Sequence, residues 1–134
     1  MEPKPNLRIG ILGGGQLGRM LALAGYPLGL AFTVLDPTPR ASASKVCDHI
    51  QAKYDDPNAL DELVYRSDVV TFEFENLPEA SLERVSRDLP VVPSTRALEI
   101  SGDRLTEKRC FDDLGIQTAE TRTVDSAEDL RDAA

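Results

Sequence analysis

Along the chain, short apolar runs alternate with stretches whose apolar residues recur every three or four positions, and this alternation predicts its elements. "LRIGIL", residues 7–12, is a β-branched run that ends in glycines, a strand followed by a tight turn. Behind the turn, Leu17, Met20, Leu21, Ala24 and Leu28 share one face of a helix and are expected to line its buried side. Pro27 would cost about 3 kcal/mol in a helix interior. The helix is therefore expected to end near Tyr26, with Gly29 completing the stop. "LAFTVLDP" reads as a second buried strand ended by Asp36-Pro37, "PTPRASASK" as a loop or loose helical turn, and "VCDHIQA" as a short strand at a sheet edge.

The second half continues the alternation. "DPNALDELVYRS" offers Asp56 as N-cap, Pro57 at the first helical position, and Leu60, Leu63 and Val64 on one face. "DVVTFEFEN" begins as an apolar run and ends in alternating Phe and Glu, a central strand whose far end turns polar. "PEASLERVSRDL" is a helix, "PVVPS" a short strand, "STRALEIS" a helix capped by Ser94 or Thr95, and "GDRLTEKRCFDDLG" a helix stopped at Gly115. "QTAETRTVDS" reads as extended, and Ser126 with Asp129 forms a capping box that opens a helix reaching the last residue. Alternation of strand and helix implies an α/β fold, a Rossmann-like parallel sheet with helices on both faces. The last helix starts and is not finished, so the chain reads as a piece of something longer.

Composition narrows the classes. With 134 residues, one compact domain with a real core is expected. A net charge of -8 argues against a nucleic-acid partner, because neutralising phosphates requires clustered Lys and Arg. The longest apolar stretch, residues 20–35, is broken by Gly25, Pro27 and Gly29 and is no membrane span. "MEPKPNLR" lacks the apolar core of a signal peptide, so a cytoplasmic protein without a membrane partner is expected. Cys47 and Cys110 have no CxxC spacing, and His49 is the single histidine, which leaves neither a disulfide framework nor a zinc set.

Candidate chemistry gathers in two places. Gly13, Gly15 and Gly18 form a Gly-x-Gly-x-x-Gly turn between strand and helix, where backbone N–H groups and the helix N-terminus suit anionic or hydroxyl-rich ligands. Asp36 lies 18 residues beyond Gly18, near where a dinucleotide site places its ribose-binding acid. The plain alternative is that the glycines only let strand and helix pack closely. In "FEFEN", Glu73 and Glu75 are two apart, so in extended chain both carboxylates face one side and Phe72 and Phe74 the other. Two acids beside a glycine turn would repel a pyrophosphate and suit an amine or sugar hydroxyls. Glu73, the deeper of the two, is the favoured ligand contact, against the alternative that one glutamate caps the next helix and the other is merely solvated. Arg104 and Lys108, four apart on one helix, could form a small anion-binding face, although solvated charge beside Glu107 and Asp112 is the ordinary reading. No set of catalytic residues is recognisable.

"GILGGGQLGRMLALA", "YDDPNAL", "VVTFEFENLP" and "ALEISGDRLTEKRCFDDLGI", taken together and in this order, resemble the amino-terminal part of the 5-(carboxyamino)imidazole ribonucleotide synthases, ATP-grasp ligases of purine biosynthesis. The resemblance runs from Leu7 to about Thr123. It implies a pre-ATP-grasp substrate-binding domain over residues 1–100 and the start of an ATP-grasp domain over residues 101–134. It also implies that the glycine turn binds no dinucleotide and instead walls the site for 5-aminoimidazole ribonucleotide, with Gly15, Gln16, Leu17 and Glu73 at that substrate. Arg104, in "GDRLTEK", would reach the phosphates of ATP. ATP, magnesium and bicarbonate would serve a longer enzyme whose metal ligands lie beyond this chain, a homodimer is implied, and the chain alone would not catalyse. A dinucleotide-binding domain of an oxidoreductase and a free-standing, non-catalytic binding module remain the alternatives.

Overall fold

A computed structural model of the chain describes residues 6–133. Residues 1–5, and Ala134, with which the last predicted helix ends, lie outside the described residues. The chain divides into two compact units, one ending at Leu98 and the other beginning at Glu99.

The first unit is a parallel sheet of four strands, β1 (Arg8–Leu12), β2 (Ala31–Leu35), β3 (Asp48–Ile50) and β4 (Val69–Phe72), in the order β3-β2-β1-β4. β1 is central because "RIGIL" is apolar on both faces, as a strand covered on both sides must be. Consecutive side chains point to opposite faces. Ile11 accordingly joins Phe32, Val34, Ala43 and Ala22 on one side. Leu12 joins Leu35, Ile50 and Val70 on the other, with Leu60, Leu63, Leu82 and Val85 from the covering helices. The first side is covered by α1 (Gln16–Gly25), the second by α2 (Pro57–Arg66) and α3 (Glu79–Ser86).

Local signals set the helix limits as expected. Asp56 caps α2, its Oδ1 accepting from the N–H of Asn58 (2.9 Å) and of Ala59 (3.1 Å), with Pro57 at the first position. α1 stops at Gly25, a 3-10 turn holds Tyr26–Leu28, and Gly29 takes a left-handed conformation with φ 75°. "SASK" forms a second 3-10 turn, Ser42–Lys45.

Three expectations are corrected. The apolar row of α1 is not its buried face: Leu17 and Met20 are 57% and 56% exposed, and Leu28 is 76% exposed. Gly18, Ala22 and Gly25 are buried instead, because a row of small residues lets the helix lie close against the sheet. β4 ends at Phe72, so Glu73 stands in a bend just past the strand. Phe72 and Phe74 nonetheless both pack on the second core while Glu73 turns to the glycines, which preserves the alternation. "PVVPS" is a single parallel bridge, Val91 to Val70 on the outer side of β4. Val70 N–H donates to Pro90 O and Val92 N–H to Val70 O, both at 2.9 Å, but the prolines at 90 and 93 leave no room for a longer ladder. α4 (Thr95–Ser101) follows and sends Leu98 into the second core.

The second unit holds α5 (Arg104–Asp113) and α6 (Ala127–Ala133). Asp103 caps α5 by accepting from Thr106 N–H at 2.8 Å. The predicted capping box opens α6: Asp129 N–H donates to Ser126 Oγ (3.1 Å), and Asp129 Oδ2 accepts from the Ser126 hydroxyl (2.7 Å) and from Asp125 N–H (3.2 Å).

Candidate functional site

The sheet places the site. β1 is flanked by β2 on one side and by β4 on the other, so the chain reverses its direction of winding between β1 and β4. Ligands of open parallel sheets bind beyond the carboxyl ends of strands at such a switch point. The turn from Gly13 to Gly15 follows β1 there, and Glu73 follows β4.

Three N–H groups here, those of Gly14, Gly15 and Gly18, are already engaged by carboxylates of the same chain. Gly14 N–H donates to Asp36 Oδ2 at 2.8 Å, Gly15 N–H donates to Glu73 Oε1 at 2.8 Å, and Gly18 N–H donates to Glu73 Oε2 in a shorter contact. Both acids stand at the positive end of the α1 dipole. The backbone is anchored around them: Gly13 N–H donates to Leu35 O (2.9 Å), Ala43 N–H to Gly14 O (2.8 Å) and Glu73 N–H to Leu12 O (3.2 Å). The glycine spacing follows from the same geometry. Gly13 has φ 113°, and a Cβ there would collide with Glu73 Cγ. A Cβ on Gly15 would lie 2.7 Å from Glu73 Oε1, and one on Gly18 would lie 2.7 Å from Gly13 O and 3.2 Å from Glu73 Oε2.

Asp36 is buried and takes three donors. Besides Gly14 it accepts from Thr38 N–H (2.7 Å) and from the Tyr54 hydroxyl (2.9 Å). Burial acts to raise its pKa, but the bonds from Gly14, Thr38 and Tyr54 outweigh it and hold the carboxyl below its ordinary value. Burial, the bond to Asp36 and the charges of Asp36 and Glu73 push the Tyr54 phenol far up, so it is a fixed donor. The Tyr54 ring also leans on Phe74, with centroids 5.4 Å apart, so one side chain ties the Asp36 end of the turn to the segment carrying Glu73. The sequence reasoning missed Tyr54. The available signal was its place two residues before the Asp56 cap in "YDDPNAL".

The remaining candidates distribute as follows. Gln16 and Leu17, the first residues of α1, are exposed beside the turn, and Glu75 is exposed. Gly15, Gln16, Leu17 and Glu73 thus come together. Within the second unit, the Arg104 guanidinium is ion-paired with Glu107, and Lys108 Nζ donates to Ala119 O at 3.5 Å. His49 Nε2 lies 3.0 Å from Asp36 O, an acceptor only, so this nitrogen carries the proton and the ring supports the strand end. Burial, with Asp48 beside it, pushes the Cys47 thiol up to about 11, away from thiolate chemistry.

Sheet order and turn together define a class: a Rossmann-like domain whose glycine turn is organised around carboxylates of its own chain. The model of the ribonucleotide synthetase preATP-grasp domain matches residues 7–102, and the chain belongs to that family. It is 48% identical over 128 residues to the N5-carboxyaminoimidazole ribonucleotide synthase of Pseudomonas aeruginosa, covering 96% of this chain and 36% of that protein. The crystal structure of the corresponding synthetase from Thermus thermophilus is 49% identical, with a TM-score of 0.85 over 93% of this chain and 35% of that one. The Aspergillus clavatus synthase, solved in complex with ADP and 5-aminoimidazole ribonucleotide, is 28% identical, with a TM-score of 0.81 over 96% of this chain and 35% of that one. The chain spans about a third of the length of these relatives.

Proposed function

We propose that the chain is the amino-terminal, ribonucleotide-facing part of an N5-carboxyaminoimidazole ribonucleotide synthase, a ligase that carboxylates 5-aminoimidazole ribonucleotide with ATP and bicarbonate. The observation that carries the reading is the acid-closed glycine turn at the switch point, in a chain 48% identical to a synthase of that name. In the reaction the substrate amine attacks bicarbonate activated by ATP, with carboxyphosphate as the intermediate. This chain contributes a wall: Gly15, Gln16 and Leu17 lie against the ribonucleotide, and Glu73 accepts a hydrogen bond from its amine or ribose. Glu73 has the capacity, because each carboxylate oxygen offers two lone pairs and the turn uses one of each.

Residues 101–134 are proposed as the start of the ATP-grasp domain, with Arg104 exchanging Glu107 for the phosphates of ATP and Lys108 as a secondary contact. The magnesium ligands and the nucleotide clamp are proposed to lie in the remaining two thirds of a protein of the relatives' length. A homodimer in the cytoplasm completes it. A dinucleotide reading would need the N–H donors that Asp36 and Glu73 already hold.

The test is a chimera that continues this chain with the remainder of the Pseudomonas synthase. Glu73→Gln in that chimera is expected to lower turnover with 5-aminoimidazole ribonucleotide tenfold or more, about 1.4 kcal/mol in the barrier, while the KM for ATP stays constant. Unchanged kinetics, or an equal loss toward both ligands, would reject the role of Glu73. NADH binding by either form would reject the whole reading.

A further inference from the structure

Glycine turns at the start of a helix ordinarily offer their N–H groups to a phosphate. In this chain the Gly15 and Gly18 N–H groups converge on one carboxylate, that of Glu73, with one oxygen for each. The three glycines of the fingerprint match that side chain: a Cβ at position 13 would strike Glu73 Cγ, at 15 its Oε1, and at 18 the Gly13 carbonyl with Glu73 Oε2 next nearest. The third N–H of the turn, that of Gly14, goes to Asp36, itself fixed by Thr38 and Tyr54.

We propose that Glu73 is the resident anion of the glycine turn and a specificity-determining residue: it occupies the place a phosphate takes at turns of this shape, bars phosphate groups from it, and admits only groups that donate a hydrogen bond to a carboxylate. The spare lone pairs of Oε1 and Oε2 accept from an amine or a hydroxyl. A phosphate finds the Gly14, Gly15 and Gly18 N–H groups already taken and meets negative charge from Glu73 and Asp36. A ribonucleotide at this wall must therefore lead with its base or sugar and turn its phosphate elsewhere. That orientation rests on the function proposed above, whereas the exclusion of phosphate rests on the turn alone.

The experiment titrates inorganic pyrophosphate into the isotopically labelled chain and follows the Gly15 and Gly18 amide resonances. In the wild-type chain these are expected to show no saturable shift. In Glu73→Ala both should shift saturably, with pyrophosphate bound at least tenfold more tightly than by the wild type. A wild-type chain that binds pyrophosphate at these amides within tenfold of the variant overturns the proposal, as does a folded Glu73→Ala whose amides ignore it. If Glu73→Ala does not fold, Glu73→Gln decides. Its carboxamide keeps the volume but sets an amino group against one of the two N–H donors, so at least one of the two amides should respond, and silence at both overturns the proposal. A parallel titration with 5-aminoimidazole ribonucleotide separates the two ideas: a chain that excludes pyrophosphate and also ignores the ribonucleotide loses the functional reading and keeps this one.

Discussion

Asp36 is 6% exposed, and its carboxylate takes three donors, the Gly14 and Thr38 N–H groups and the Tyr54 hydroxyl. Hydrogen bonds to a charged group contribute about 1.5–3 kcal/mol, and a donor left facing another donor forfeits a comparable amount. Asp36→Asn puts an amino group against at least one of these donors and is expected to lower unfolding free energy by about 2–3 kcal/mol. Its pH dependence has a definite sign. The folded carboxyl lies below the value of about 4 usual in an unfolded chain, so on acidification the unfolded state takes up the proton first. The contribution is complete above that value and is lost as pH falls from it through the lower folded value. Urea unfolding between neutral and acid pH should therefore show a shallower acid limb in Asp36→Asn, and an identical limb would contradict the assignment. The sequence showed Asp36 as an acid at a strand end, the place a ribose-binding acid takes. It could not show that Gly14, 22 residues upstream, and Tyr54, 18 residues downstream, would claim that acid, because both bonds exist only once the strands are in register.

Elements whose limits depend on neighbours in sequence were legible. The Asp56-Pro57 start of α2, the break at Pro27 with Gly29, and the Ser126–Asp129 box all stand where their local chemistry put them. The packing face of α1 was not legible, because helical periodicity marks two rows equally well. Leu17, Met20, Leu21 and Leu28 form one, Gly18, Ala22 and Gly25 the other, and closeness of approach to the sheet favours the small one. The acidic strand end is shorter than expected for a reason equally distant in sequence: β4 pairs with β1 only as far as Leu12, beyond which the glycine turn begins and offers no ladder. The two faces of α1 can be told apart by stability. Ala22→Leu forces three extra carbons between α1 and the sheet and is expected to destabilise the chain by about 1–3 kcal/mol. Met20→Gln, on the exposed row, should stay within about 0.5 kcal/mol. Urea midpoints that reverse this order would return the large residues to the core.

For the whole molecule, the fold class followed from the alternation of strand and helix, and the order β3-β2-β1-β4 supplies the switch point that the alternation alone did not locate. The proposed division of labour makes the purified chain inactive: ATP hydrolysis stimulated by 5-aminoimidazole ribonucleotide and bicarbonate should be absent in the chain and present in the chimera with the Pseudomonas remainder. Steady turnover by the chain would show that it contains the nucleotide clamp. The bond between Gly15 and Glu73 also sets a timetable for biosynthesis. The turn is translated early, but the acid that completes it follows 58 residues later. At elongation rates of about 5–20 residues per second the nascent turn waits roughly 3–12 s for its carboxylate. During that interval the turn lacks the carboxylate that its Gly15 and Gly18 N–H groups hold in the folded chain, and β4 is not yet there to pair with β1. The segments of β1, β2 and β3 are thus all made before the acid that fills the turn, and Glu73 follows directly on β4, whose pairing closes the other side of β1.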